Sequence, residues 1–132
     1  MQKNLKRRSL FLGMLATLTA VFGAPAMATV TTPPQPAVLI NVFEVPGNKL
    51  DETIASWEKA RDFLKAQPGF ISTKLHRSLA PSARFQLVNV ALWETPADYQ
   101  AAIAALRASG LMAEFRDTVF HASLYEVIRE DK

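Results

Sequence analysis

The segment Arg84–Tyr99 places an amide and an indole on a strand that is otherwise apolar. Side chains alternate across a β-strand, so Asn89 and Trp93 share one face, and both faces are rich in apolar residues. The face with the amide is predicted to comprise Phe85, Leu87, Asn89, Ala91 and Trp93. Such a strand is covered on both sides, and a buried asparagine without hydrogen bonds costs about 1–3 kcal/mol. Either a bound ligand supplies a partner, or Asn89 bonds a neighbouring backbone group and Trp93 is ordinary core.

Residues 1–28 have the composition of an export signal peptide. An apolar run over residues 10–22 ends in a small-residue cleavage signal, and it follows the basic residues Lys3, Lys6, Arg7 and Arg8. The run is shorter than the ~20 residues of a spanning helix, so we predict cleavage near Ala28, no stable membrane anchor, and a periplasmic or secreted protein. The pair Arg7 and Arg8 resembles a twin-arginine signal, and the general secretory route is the alternative.

Removal of this leader changes the charge of the chain. The sequence has 15 Lys and Arg against 12 Asp and Glu; four of the basic residues and none of the acids lie in the leader, so 11 basic residues remain against 12 acids. This near-neutral balance without a basic cluster predicts no nucleic-acid partner. Cysteine is absent and no His-x-x-x-His or Glu-x-x-His spacing occurs, so neither a disulfide nor a metal site is expected.

One domain, residues 37–130, is predicted after a linker rich in proline and threonine at residues 29–36. Strand-like runs and helical spacings follow one another through this domain. Strands are predicted at 38–45, 70–77, 85–93 and 119–128, helices at 49–66 and from Pro96 onward, and a short helical piece at 111–117. The order βαββαβ predicts an α+β ferredoxin-like sandwich with both helices on one face of an antiparallel sheet.

The strands carry more apolar residues than two helices can cover. Across the two faces of the sheet, this apolar surface includes Phe43, Val45, Val88, Val90, Leu92 and Leu124. In a monomer, the face of the sheet that has no helices would be exposed to solvent, which conflicts with its apolar residues. A homodimer in which two such sheets pack face to face is therefore predicted.

Three runs of residues resemble one protein family. They are Ile40–Val45, Gln67–Ser78 and Phe85–Glu94, with Tyr99 after them. Over roughly residues 37–128 they are similar to the antibiotic biosynthesis monooxygenase (ABM) family. The resemblance implies a dimeric α/β barrel. It also implies oxidation of a phenolic, anthrone-like or other small aromatic substrate to a quinone, with O2 as co-substrate and no metal, flavin or haem.

The resemblance further implies a pocket between sheet and helices in which Asn89, Trp93 and Tyr99 match the motif of the family. Asn89 would donate a hydrogen bond to a substrate oxyanion. Trp93 would donate its indole N–H or pack against the substrate, and Tyr99 would relay a proton or orient a carbonyl. His76 is the candidate proton acceptor because imidazole titrates near neutral pH, and an exposed structural histidine is the alternative. Further substrate contacts are expected from Asn41, Phe43, Phe85 and Arg116.

Two other functions stay open at this level. A haem-degrading branch of the same superfamily uses an Asn in the first strand and a Trp ending the third, which Asn41 and Trp93 match. The histidine that this branch carries after the second helix is missing, because residues 111–117 contain none. The other alternative is a dimeric domain that binds a small hydrophobic ligand without turnover, since a fold alone does not establish chemistry.

Overall fold

A computed structural model describes residues 23–28 and 35–132 of the chain. The chain forms two units, residues 1–31 and 32–132. In the first unit, the described residues 23–28 are exposed and belong to no helix or strand. Most of the predicted leader and of the linker at 29–36 lies outside the described residues, and both stay predictions. In the part of the chain that is described, no helix has the length and apolar character that a bilayer crossing needs.

Within residues 35–132, four strands and two α-helices follow one another in the predicted order βαββαβ. The strands are β1 (Ala37–Glu44), β2 (Phe70–Arg77), β3 (Leu87–Trp93) and β4 (Val119–Tyr125), and the helices are α1 (Leu50–Lys65) and α2 (Pro96–Ala108). Short 3-10 turns occupy Gly47–Lys49 and Leu111–Glu114. The ferredoxin-like α+β fold is therefore confirmed. The ends of β1 and α1 differ from prediction by one residue. Larger differences occur at three ends, since β3 begins at Leu87 rather than residue 85, the turn after α2 ends at Glu114 rather than residue 117, and β4 ends at Tyr125 rather than residue 128.

The strands form one antiparallel sheet in the order β2-β3-β1-β4. β1 and β3 are its central strands, and their register sets Asn41 directly opposite Asn89. Ala122 of β4 lies opposite Asn41 on the other side of β1. Two asparagines that are far apart in the sequence are thus neighbours at the centre of the sheet.

The helices cover one face of this sheet. Every second residue of β3 lies on that face and is buried, and Trp93 is only 1% exposed. One buried cluster between sheet and helices comprises Leu39, Ala91, Trp93 and Ala102. A second comprises Ala60, Leu106 and Phe115. The alternation that the sequence predicts for the third strand is present in the structure from Leu87 onward.

The opposite face of the sheet is apolar and only half-buried. Its central residues are Val38, Ile40, Val42, Val88, Val90 and Leu92, here called the aliphatic face. Phe43 and Leu124 do not belong to it, because Phe43 is 2% exposed on the helix side and Leu124 packs against the cluster that contains Trp93. Of the apolar residues named from the sequence, Val88, Val90 and Leu92 therefore lie on the aliphatic face, and Phe43 and Leu124 lie on the helix side. The homodimer stays a prediction.

A β-bulge interrupts the pairing of β2 with β3. It lies at Ile71, between Phe70 and Ser72. One extra residue reverses the alternation of side chains beyond it, so Thr73 comes to the same side of the sheet as Phe70, while Ile71 is 46% exposed. The side on which each later residue of β2 lies is thus decided by the bulge.

The side chain of Thr95 caps α2. Its Oγ1 accepts a hydrogen bond from the Asp98 N–H at 3.1 Å and donates to Asp98 Oδ2 at 2.7 Å. Asp98 also restricts the loop before β2, because a Cβ on Gly69 would collide with its side chain. Gly69 has a φ of 79°, in the left-handed region. This junction sets the start of the helix that carries Tyr99.

We expect Gly69→Ala to destabilise the domain. The left-handed backbone costs a residue with a Cβ about 1–2 kcal/mol, and the collision with Asp98 adds to this. Urea denaturation measures the loss as a lower midpoint. Gly47→Ala is the matched control, because a Cβ there meets nothing within 4 Å and its φ is not positive. Equal midpoints for the two variants would contradict this account of the junction.

Candidate active site

A cavity of about 130 Å³ lies between the sheet and the helices. Asn41, Asn89 and Trp93 belong to its floor on the sheet. The walls above come from both helices and from the turn after α2, through Trp57, Leu64, Tyr99, Ile103, Met112 and Phe115. Most of this lining is apolar, so a ligand in the cavity would be largely removed from water.

Asn89 is 8% exposed and is held by a side chain. Thr73 Oγ1 donates a hydrogen bond of 2.6 Å to Asn89 Oδ1. The partner is therefore a hydroxyl that the bulge in β2 brings to this face, and not the backbone group considered above. Because the oxygen of the amide is engaged, its NH2 group is left as the donor that a ligand could use.

Two other polar atoms of the floor are buried without a hydrogen-bond partner among the described residues, Asn41 Oδ1 and Trp93 Nε1. Each such atom costs about 1–3 kcal/mol unless something pairs with it. One unpaired acceptor and one unpaired donor beside an apolar cavity are typical of a binding site, where a ligand or an ordered water completes the hydrogen bonds.

Tyr99 lies at the cavity next to Trp93. The centroids of the two rings are 5.8 Å apart in an edge-to-face arrangement, and Phe70 packs on Trp93 in the same way at 5.4 Å. Burial raises the pKa of the Tyr99 hydroxyl, and the charge of Arg107 opposes this rise. The hydroxyl is therefore protonated at neutral pH, which makes it a hydrogen-bond donor rather than a base.

Two arginines that line the cavity, Arg61 of α1 and Arg107 of α2, were not predicted from the sequence. The Arg61 guanidinium lies 5.3 Å from the centre of the Trp57 ring. A signal for both existed, because Arg61 interrupts an apolar stripe of α1, and Arg107 follows Tyr99 at the spacing of about two helical turns. Among the described residues no group of three or more His, Cys, Asp or Glu side chains could hold a metal ion.

His76 is not brought to the cavity, which agrees with the alternative of an exposed histidine. Three residues after Thr73, it points to the opposite face of the sheet and lies opposite Val88. Its Nδ1 is 3.2 Å from the Val88 carbonyl oxygen, and the side chain is exposed. Without the bulge at Ile71 the alternation would have turned His76 toward the helices. The bulge depends on pairing with another strand, which no local pattern reveals.

Phe85 and Arg116 also lie outside the lining of the cavity. β3 begins after Phe85, so the strand alternation does not extend to it, and its ring packs 5.7 Å from the ring of His121. Arg116 is exposed beyond the turn that follows α2. Asn41 and Phe43 do line the cavity, and their part in substrate binding stays a prediction.

Residues 36–119 match the residue pattern of the family described as antibiotic biosynthesis monooxygenase. The chain belongs to this ABM family. The match extends from the start of β1 to the start of β4, so it includes the first three strands and both helices. Asn89, Trp93 and Tyr99 all lie within the ABM match.

Solved structures with the ABM fold are similar to this chain. A candidate monooxygenase from Shewanella loihica PV-4 shares 42% sequence identity at a TM-score of 0.65, covering 73% of this chain and 97% of that chain. SnoaB, a cofactor-independent oxygenase from Streptomyces nogalater, shares 21% identity at a TM-score of 0.63, covering 73% of this chain and 96% of that chain. At that identity the likeness to SnoaB shows the fold alone. No functionally curated protein is significantly similar to this chain.

Proposed function

We propose that this ABM protein is a cofactor-independent monooxygenase that oxidises a small phenolic substrate, a hydroquinone or anthrone, to a quinone with O2. The observation that carries the proposal is that Asn41 Oδ1 and Trp93 Nε1 are buried beside an apolar cavity without a hydrogen-bond partner in the described part of the chain. A phenolic ring with a hydroxyl and a second oxygen offers both a donor and an acceptor to these atoms. Its apolar body matches the remaining walls.

The proposed chemistry needs an anion and a dry site. A phenolate passes one electron to O2, and the radical pair combines at a carbon that carries hydrogen to give a hydroperoxide. Loss of that C–H proton with cleavage of the O–O bond leaves one oxygen atom as a new carbonyl and releases the other as water. An anthrone thus gives an anthraquinone, and a hydroquinone gives a hydroxylated quinone. The Asn89 NH2 group would stabilise the developing oxyanion, and the Tyr99 hydroxyl would donate a second hydrogen bond. Closure of the apolar walls would limit quenching of the intermediate by water.

A protein base is missing from this scheme. Of the described residues, the lining of the cavity includes no imidazole and no carboxylate, and the Tyr99 hydroxyl is protonated. We therefore assign to the site the task of stabilising the substrate anion, which makes the substrate a stronger acid, and the proton leaves to solvent. A substrate whose hydroxyl is already fairly acidic would suit such a site.

Oxygen uptake tests the proposal. The purified protein would be incubated with a panel of hydroquinones and anthrones, with consumption of one O2 per product expected above the rate of spontaneous oxidation. The non-catalytic alternative, a domain that only binds a small hydrophobic ligand, is favoured by the same absence of a base. It predicts saturable quenching of tryptophan fluorescence with no O2 uptake above background, and that result would remove the monooxygenase proposal.

The haem-degrading alternative gains no support from the site. An axial ligand for haem iron has to reach the cavity. Within the described residues His76 lies on the other face of the sheet, and His121 Nε2 is 2.7 Å from Glu44 Oε1, also on that face. No histidine of this part of the chain lines the cavity.

We also propose export of the protein through residues 1–28, with cleavage near Ala28. A reporter that works only in an oxidising compartment, fused after residue 32, should be active when it follows this leader. If the twin-arginine route is used, replacing both Arg7 and Arg8 with lysine should abolish reporter activity. The control is Lys3→Arg with Lys6→Arg, which keeps the charge of the leader and the arginine pair. Full activity of the double lysine variant would assign the general secretory route instead.

A further inference from the structure

We propose that the substrate is a single-ring phenol that carries a carboxylate, and that Arg61 and Arg107 bind this carboxylate. That this phenol is oxidised rests on the function proposed above, whereas its binding through Arg61 and Arg107 rests on the cavity alone. Among phenols in general, the substrate would thus be one that is negatively charged and has a single ring.

The charges around the cavity all have one sign. Of the described residues that line it, the only charged ones are Arg61 and Arg107, both positive. Arg107 forms no salt bridge within residues 35–132, and Arg61 bonds only the exposed carboxylate of its neighbour Asp62 at 3.0 Å. An ion pair with one exposed partner is worth little, so a substrate carboxylate can replace it at small cost.

The two arginines come from the helices, whereas the amides come from the sheet. Arg61 lies on α1 four residues after Trp57, and Arg107 lies near the end of α2. Arg107 is close enough to Tyr99 for its charge to act on the hydroxyl. A ring in the cavity can therefore direct its hydroxyl to the floor and its carboxylate to the helix side. Guanidinium groups favour carboxylates because two parallel N–H donors match two oxygens.

The size of the cavity limits the number of rings. At about 130 Å³ it is slightly smaller than cavities of about 150 Å³ that bind one benzene ring. Drug-sized ligands occupy pockets of about 300–1,000 Å³. A single ring with small substituents fits without displacement of the helices, whereas a three-ring anthrone would require them to move apart.

Binding of a matched pair of ligands tests the proposal. The probes are 2,5-dihydroxybenzoate and its neutral analogue 2,5-dihydroxybenzamide, titrated without oxygen and followed by calorimetry. We expect the acid to bind at least ten times more tightly than the amide in the wild type, and the double variant Arg61→Gln with Arg107→Gln to lose this preference. Arg116→Gln is the matched control, because Arg116 is exposed and lies outside the cavity lining. The double variant Arg61→Lys with Arg107→Lys should keep part of the preference.

Three results would overturn the proposal. They are equal affinity for acid and amide, a preference that survives in the folded double glutamine variant, and no binding of either probe at millimolar concentration. Oxygen uptake separates this proposal from the proposed function. A preference for the acid without any O2 uptake would remove the oxygenase function and keep the carboxylate site. Rapid oxidation of neutral hydroquinones, with no preference for acids, would keep the function and remove the carboxylate site.

Discussion

Replacing Asn89 with alanine is expected to lower oxygen-dependent turnover by about one to three orders of magnitude, as the loss of an oxyanion donor does. The amide NH2 of Asn89 is the group that would stabilise the substrate anion, because its oxygen already accepts from Thr73. The fold should survive, since the variant leaves the apolar core of the sheet in place. Oxygen consumption and melting temperature would be measured on the same preparation.

Thr73→Val is the matched control for this variant. It breaks the same 2.6 Å hydrogen bond but keeps the amide in the site. Both substitutions are expected to cost about 1–3 kcal/mol of folding free energy, because each leaves a buried polar group without its partner or removes a hydrogen bond. Turnover should fall steeply only in Asn89→Ala. Equal loss of stability with unchanged specific activity in both variants would show that Asn89 is structural and would remove it from the proposed site.

The mature protein is expected to sediment as a homodimer, and Val90→Glu is expected to convert it to a monomer. Val90 lies at the centre of the aliphatic face, opposite Ile40 on β1 and Lys74 on β2. In a two-fold dimer one substitution places two buried carboxylates in the same interface. The desolvation penalty is several kcal/mol per ion, so the interface should be lost even where the monomer folds.

Analytical ultracentrifugation of residues 29–132 at micromolar concentration measures this outcome. Ala104→Glu is the control, because Ala104 is exposed on α2 and adds the same charge away from the sheet. The control should keep the mass of the dimer. A wild-type protein that sediments only as a monomer would contradict the prediction and would leave the aliphatic face without an explanation.

Most of the fold could be predicted because each element is encoded locally. β3 alternates between buried and half-exposed residues, α2 starts at a threonine cap followed by Pro96, and Gly69 marks the turn into β2. These patterns involve residues within a few positions of each other. Strand alternation also predicted that Asn89 and Trp93 share one face, whereas the pocket that they form with Tyr99 was implied by the resemblance to the ABM family.

The remaining parts of the site depended on pairing between distant segments. The bulge at Ile71 exists only in the register of β2 against β3, and it brings Thr73 to Asn89 while turning His76 away. The charged side of the cavity required α1 and α2 to pack beside each other, so that Arg61 and Arg107 line the same space. Local sequence therefore determined which elements form and which residues share a face within each. Tertiary structure decided which faces meet, because strand register and helix packing are set by contacts between residues far apart in the chain.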